Sequence, residues 1–127
     1  MAQILIVDDD PMIRQLLADM LELAGHEVRT AVDGLAAVRA VEAALPDFMV
    51  LDVMMPNLDG YGVLRHIRGL DIDPVPVLML TAAAGPDAAR QAWAGGVDYY
   101  LSKPFTADEV INLVEAVLGR RTTTAAE

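Results

Sequence analysis

Three consecutive carboxylates, Asp8, Asp9 and Asp10, follow the apolar run Ile4-Leu5-Ile6-Val7, and a fourth, Asp52, follows Met49-Val50-Leu51. Thr81 ends a third apolar run, and Ser102-Lys103-Pro104 follow a fourth. Brought together, Asp8, Asp9 and Asp52 would repel one another, which raises the cost of ionising all three unless a cation sits among them. Mg²⁺ suits such a cluster, because it takes oxygen ligands, keeps several waters and uses one or two carboxylates beside phosphate oxygens. A carboxylate beside Mg²⁺ can act as a nucleophile towards phosphorus and form an acyl phosphate. Positioning and charge neutralisation supply most of the catalysis in phosphoryl transfer, and a hydroxyl (Thr81) and an ammonium group (Lys103) suit the transferred oxygens.

The order of elements is what must gather these residues. Five short runs, at 4–7, 27–31, 48–51, 75–80 and 97–101, alternate with helical patterns, as in βα units closing a parallel sheet. Four are almost wholly apolar, as expected of strands covered on both faces, whereas Glu27-Val28-Arg29-Thr30 carries charge and belongs at an edge. A first helix takes Asp10 as N-cap and Pro11 at its first position, with Ile13, Leu16, Leu17, Met20 and Leu21 on one stripe and Gly25 ending it. A second follows Asp33-Gly34, with Val38, Val41 and Leu45 inward before Pro46, and a third spans about 61–68. A short fourth runs from Pro86 to Gly95-Gly96. The fifth opens on Thr106-Ala107-Asp108-Glu109, the spacing of a capping box, and buries Val110, Leu113, Val114 and Val117. Right-handed crossovers with an edge second strand predict an α/β, flavodoxin-like, doubly wound sheet of five parallel strands in the order 2-1-3-4-5 with five helices. Ligands of such sheets bind beyond the carboxyl ends of the strands, so the topology collects the carboxylates, Thr81 and Lys103 in one crevice.

Composition narrows the function classes further. At 127 residues, 54% hydrophobic and 22% charged, the chain is expected to form one globular domain over residues 1–121, with 122–127 as a flexible tail. Nine Lys plus Arg against nineteen Asp plus Glu give a net charge of −10, which repels phosphate backbones and argues against direct nucleic-acid binding. The absence of Cys excludes a disulfide framework and a thiolate metal site and fits the cytoplasm. With no basic leader and no long apolar stretch, neither a signal peptide nor membrane insertion is expected.

Four stretches carry a family likeness: Ile4-Leu5-Ile6-Val7-Asp8-Asp9-Asp10-Pro11, Asp52-Val53-Met54-Met55-Pro56-Asn57-Leu58-Asp59-Gly60, Leu80-Thr81-Ala82 and Tyr100-Leu101-Ser102-Lys103-Pro104-Phe105. In this order and spacing they resemble the receiver (CheY-like) domain of bacterial two-component response regulators, over about residues 3–119. The resemblance implies that Asp52 accepts a phosphoryl group from a sensor histidine kinase or a phosphotransfer protein, and that the chain catalyses only its own phosphorylation and dephosphorylation. It implies that Asp9 binds Mg²⁺ directly and Asp8 largely through water, with Asp52 and the Met54 backbone carbonyl as further ligands. Lys103 would pair with Asp52 or its phosphoryl oxygen, and Thr81 with the Ala82 backbone would hold the phosphoryl group. Thr81 and Tyr100 would form the switch pair, and the fourth helix, fifth strand and fifth helix the output surface for an unidentified partner protein. The family's cis peptide would fall at Lys103-Pro104. Met54 and Ala83 occupy the positions that influence phosphoryl hydrolysis, and neither can orient water, so slow autodephosphorylation is expected.

Taken singly, each residue has an ordinary reading. Asp10 is an N-cap, Asp8 and Asp9 can be turn residues, Thr81 a strand-end hydroxyl and Lys103 a surface lysine. His26 and His66 read as surface residues, the seven Met as core filler with Met54 and Met55 as exceptions, and Trp93 as packing on the fourth helix or standing at the output face. Gly60 fits a tight turn behind Asp52. Two competing functions follow. Asp8-Asp9-Asp10 also matches the Asp-x-Asp motif of haloacid dehalogenase-like phosphatases, but only Asp108 and Glu109 follow Lys103 where that family needs a further acidic pair. The other alternative is a receiver excised from a longer transcription regulator. An initial Met and an end soon after the fifth helix favour a natural single domain. The resemblance implies an acid before the switch Tyr and arginines in the fifth helix for the DNA-binding subfamily, and Tyr99 and the lack of Arg before Arg120 depart from that, so a monomer or weak dimer is expected.

Overall fold

The computed structural model describes residues 2–53, 55, 58–70, 75–81, 90, 94 and 96–126, with side chains as far as residue 119. Five strands, β1 (Gln3–Val7), β2 (Glu27–Ala31), β3 (Phe48–Asp52), β4 (Val77–Thr81) and β5 (Tyr99–Ser102), form one parallel sheet in the order β2-β1-β3-β4-β5. Three helices, α1 (Pro11–Leu23), α2 (Gly34–Ala43) and α3 (Gly60–Arg68), and a C-terminal helix (Ala107–Ala126) complete the described elements. This is the predicted doubly wound topology, with charged β2 at the edge. The expected fourth helix, and Trp93 with it, lies outside the described residues apart from isolated positions.

Strand alternation divides the core in two. Ile4, Ile6, Phe48, Val50, Leu78 and Leu80 face Leu17 and Leu21 of α1 and Val110 and Val114 of the C-terminal helix. Leu5, Val7, Met49, Leu51, Val77 and Met79 face Val41 of α2 and Val63, Leu64 and Ile67 of α3. Each such fully buried aliphatic side chain contributes roughly 1.5–3 kcal/mol of transfer free energy, so the sheet is held rigidly from both faces.

Local signals set most boundaries as read. Asp10 caps α1 by accepting from the Met12 amide, Pro11 stands at the first position, and Gly25 follows the helix at φ 98°, which L side chains avoid. Thr106 and Glu109 form the capping box reciprocally, each side chain accepting from the other's amide at 3.1 and 2.9 Å. The C-terminal helix continues as backbone through 122–126, the stretch expected to be a tail.

Several expectations are corrected. Leu16 is 51% exposed and Ala18 takes its place in the α1 stripe. Leu45 is likewise exposed, because α2 stops at Ala43: Ala44 is extended, and Arg29 from β2 donates to the Ala40 and Ala44 carbonyls. β4 and β5 start two residues later than read. Pro76 has no amide for the ladder, and the Val77 amide is taken by the Asp98 carboxylate at 2.8 Å. His26 is not a surface residue: its side chain is largely buried and bonds Glu115 of the C-terminal helix at 2.8 Å. Met12 is exposed, not core filler. Arg68 ends α3 by donating to Val75 and Gly96 carbonyls and to Asp98, fixing the segment that enters β5.

Candidate functional site

The site is built where β1, β3 and β4 end together. Val7 pairs with Leu51 and Asp52 with Leu80, so Asp8, one residue past β1, arrives beside the last residue of β3. Asp8 is held from several sides: its amide donates to Ala31, its Oδ1 accepts from the Asp10 amide at 2.9 Å, and its carbonyl accepts from Arg14 at 2.9 Å. Asp9 next to it is exposed. One carboxylate oxygen from each of Asp8, Asp9 and Asp52 lies within 4.8 Å of the others. Asp10 stands outside this group, its side chain engaged in capping α1.

On the other side, Thr81 pairs with Ser102 and its carbonyl accepts from the Lys103 amide at 2.7 Å. That places Lys103 over the crevice, with Nζ 3.3 Å from Asp52 Oδ1. The Lys103–Pro104 peptide is cis, as expected from the motif. Asp8, Asp52 and Thr81 are the buried polar residues among those described, at 1%, 1% and 0% exposure. Tyr99 and Tyr100 point to opposite faces: Tyr99 stacks on Phe48, and Tyr100 packs partly buried against the α2–α3 side, where Tyr61 also lies. Burial, with help from Tyr100 and Asp59, raises the Tyr61 phenol above its ordinary range, so it stays neutral. Met54 and Ala82, whose backbones were expected at the site, and Ala83 lie outside the described residues.

The loop after Asp52 returns at once into α3. The Gly60 amide donates to Val53 at 2.9 Å, and a Cβ on Gly60 would stand 2.5 Å from the Asp52 carbonyl oxygen. Gly60 is therefore required for close approach rather than for a special turn conformation. Gly34 meets the same loop from α2, with no room for a Cβ against the Leu58 backbone.

The electrostatics of the cluster suit a cation. Burial pushes the Asp8 carboxyl from 3.8 up to about 6; the Asp10 amide and Lys103 oppose this, while the Asp52 and Asp9 charges add to it. Among the described residues Asp8 Oδ2 is buried with no hydrogen-bond partner. A carboxylate with an orphaned buried oxygen, grouped with two further carboxylates, is an all-oxygen donor set, and it fits a hard divalent ion such as Mg²⁺. The sequence reading missed Arg14. Its one available signal was a cation close to the N-terminus of α1, where the helix dipole favours acids.

Comparison with known proteins agrees with the geometry. The response regulator receiver domain family matches residues 4–115. The transcriptional regulatory protein PrrA of Mycobacterium bovis is 43% identical over 123 residues, covering 97% of this chain and 52% of PrrA. The chain spans about half the length of the curated relatives it matches. Among solved structures, the receiver domain of Francisella response regulator 1452 aligns with a TM-score of 0.89 at 33% identity, covering 95% of this chain and 99% of that one. The receiver domain of the Pseudomonas aeruginosa sensor histidine kinase PA1611, solved with a magnesium ion in its active-site cleft, aligns with a TM-score of 0.83 at 33% identity, covering 93% and 98%. The family model covers most of the chain and the folds align closely, so this chain belongs to the response regulator receiver domains.

Proposed function

We propose that Asp52 is a phosphoacceptor, taking a phosphoryl group from the phosphohistidine of a sensor histidine kinase or phosphotransfer protein. The observation that carries this reading is the Asp52 carboxylate, 1% exposed, grouped with Asp8 and Asp9 and 3.3 Å from Lys103 Nζ. An Asp52 oxygen forms the new O–P bond as the N–P bond of the donor breaks, and the donor imidazole leaves. Asp8, Asp9, Asp52 and the Met54 carbonyl would hold Mg²⁺, which when bound supplies positive charge to the phosphoryl oxygens. Lys103 neutralises charge on the same oxygens, while Thr81 and the Ala82 backbone hold them. The chain thereby promotes its own phosphorylation and dephosphorylation and no other turnover. Movement of Thr81 and of Tyr100, which sits against the α2–α3 side of the sheet, would then shift the face built from the fourth helix, β5 and the C-terminal helix towards a form that binds a partner protein. Among the described residues no helix is long and apolar enough to cross a membrane.

Intact mass after incubation with acetyl phosphate and Mg²⁺ tests the reading. One added phosphoryl group is expected on the wild type, and none on Asp52→Asn or without Mg²⁺. No adduct on the wild type, with the donor unconsumed, would overturn the assignment of Asp52.

A second reading, a receiver working inside a longer DNA-binding regulator, is favoured by one observation: relatives such as PrrA are transcriptional regulators about twice as long as the stretch matched here.

A further inference from the structure

We propose that Arg14 is a positioning residue for the divalent-cation site, acting through the backbone of Asp8. Arg14 sits near the start of α1, and helical side chains lean towards the N-terminus, so its guanidinium reaches back over the cap. Nη1 donates to the Asp8 carbonyl at 2.9 Å, six residues upstream. The helix that carries Arg14 is itself fixed, because Leu17, Ala18 and Leu21 are buried against the sheet. Arg14 therefore transmits the position of a packed helix to the one peptide that precedes Asp9 and carries Asp8.

The consequence falls on the carboxylates. Asp8 Oδ1 is occupied by the Asp10 amide, Oδ2 is buried without a hydrogen-bond partner among the described residues, and one Asp8 carboxylate oxygen lies within 4.8 Å of oxygens of Asp9 and Asp52. Which way Oδ2 and the Asp9 side chain face depends on the orientation of the peptide between them, and the Arg14 bond fixes that orientation. Outer-shell partners of metal ligands are commonly worth about 10–100-fold in affinity. Arg14 works through a backbone carbonyl rather than on a ligand atom, so about three- to tenfold is expected here.

Charge and positioning make opposite predictions, which is what makes the idea testable. If Arg14 acted only as a cation near the site, its removal would tighten Mg²⁺ binding; if it positions Asp8 and Asp9, its removal weakens binding. The inference rests on the reading that Asp8, Asp9 and Asp52 hold the cation. Titration calorimetry with MgCl₂ at fixed ionic strength should compare wild type with Arg14→Met, which keeps the apolar stem, Arg14→Lys, which keeps a donor, and Arg39→Ala, which removes one exposed surface charge. Weakening of about three- to tenfold in Arg14→Met, recovery to within about twofold in Arg14→Lys and no weakening in Arg39→Ala are expected. Unchanged or tighter binding in Arg14→Met, with wild type binding normally, overturns the role of Arg14 alone. No Mg²⁺ binding by wild type overturns the cation site itself. Should Arg14→Met not fold, the wild type still decides: the Arg14 guanidinium NMR signal must shift and its exchange slow along the Mg²⁺ titration, and a silent Arg14 signal defeats the proposal.

Discussion

Burial holds the Asp8 carboxyl at about 6 against an ordinary 3.8, so between these values the folded protein keeps a proton that the unfolded chain has released. Stability of the metal-free fold contributed by this residue therefore falls as pH rises through that window, and the full penalty stands above about pH 6. At about 1.4 kcal/mol per pKa unit the cost is on the order of 3 kcal/mol. Asp8→Asn removes it while keeping an Oδ1 to accept from the Asp10 amide, and it replaces a charged carboxylate in the cluster by a neutral amide. Without Mg²⁺, the variant should melt several degrees above wild type near pH 7.5, with the gap narrowed to about a third near pH 4.5. Melting curves at the two pH values check this, and an equal gap at both would sink it. At this scale much was legible: Asp8, Asp9, Asp52, Thr81 and Lys103 each stand where an apolar run stops, so residue type and strand order alone bring them together. Arg14 was not, because its partner is a backbone carbonyl and a carbonyl leaves no trace in residue type. His26 was misread for a related reason, since its partner Glu115 lies 89 residues away.

Between elements, a tight constraint directly beside Asp52 is the junction of β3 with α3. Gly60→Ala would press a methyl group to 2.5 Å from the Asp52 carbonyl and 2.9 Å from Val53 Cα, and backbone cannot move aside as a flexible side chain can. We expect a loss of about 1–3 kcal/mol by overpacking, together with weaker Mg²⁺ binding because the acceptor strand end must shift. Gly25→Ala is the matched control: nothing among the described residues lies within 4 Å, φ is 98°, and the expected cost is about 1 kcal/mol of backbone strain with Mg²⁺ affinity untouched. Urea denaturation and Mg²⁺ titration of both variants separate the two, and equal Mg²⁺ affinity in Gly60→Ala would remove the link to the site. Helix starts were read well because caps are local: Asp10, Asp33, Asp59 and Thr106 all bond amides within three residues. Helix faces and strand starts were read less well. Leu45 leaves α2 because Arg29 of a neighbouring strand terminates it, and β4 begins late because Asp98 takes the Val77 amide, both of which are contacts across the fold.

At the scale of the whole molecule, two apolar layers hold a sheet whose carboxyl edge buries Asp8, Asp52 and Thr81, on a chain with a net charge of −10. Any salt will screen that charge and raise stability somewhat, so a simple rise in melting temperature with MgCl₂ proves little. The informative quantity is the rise that remains when ionic strength is held constant with NaCl. A cation that binds only the folded state at a hundred times its Kd contributes about 2.7 kcal/mol, roughly a 10 °C rise for a domain of this size. Wild type should show an increment of that order that saturates with Mg²⁺. Asp9→Ala, which removes the exposed carboxylate of the cluster, should lose the saturating part and keep the response to NaCl. Because the same substitution relieves repulsion among three carboxylates, its metal-free melting temperature should also lie above that of wild type at neutral pH. Both signs are needed. A variant that melts higher yet still gains from Mg²⁺ would place the ion elsewhere on the acidic surface, and one that melts lower would mean that Asp9 supports the fold rather than the site.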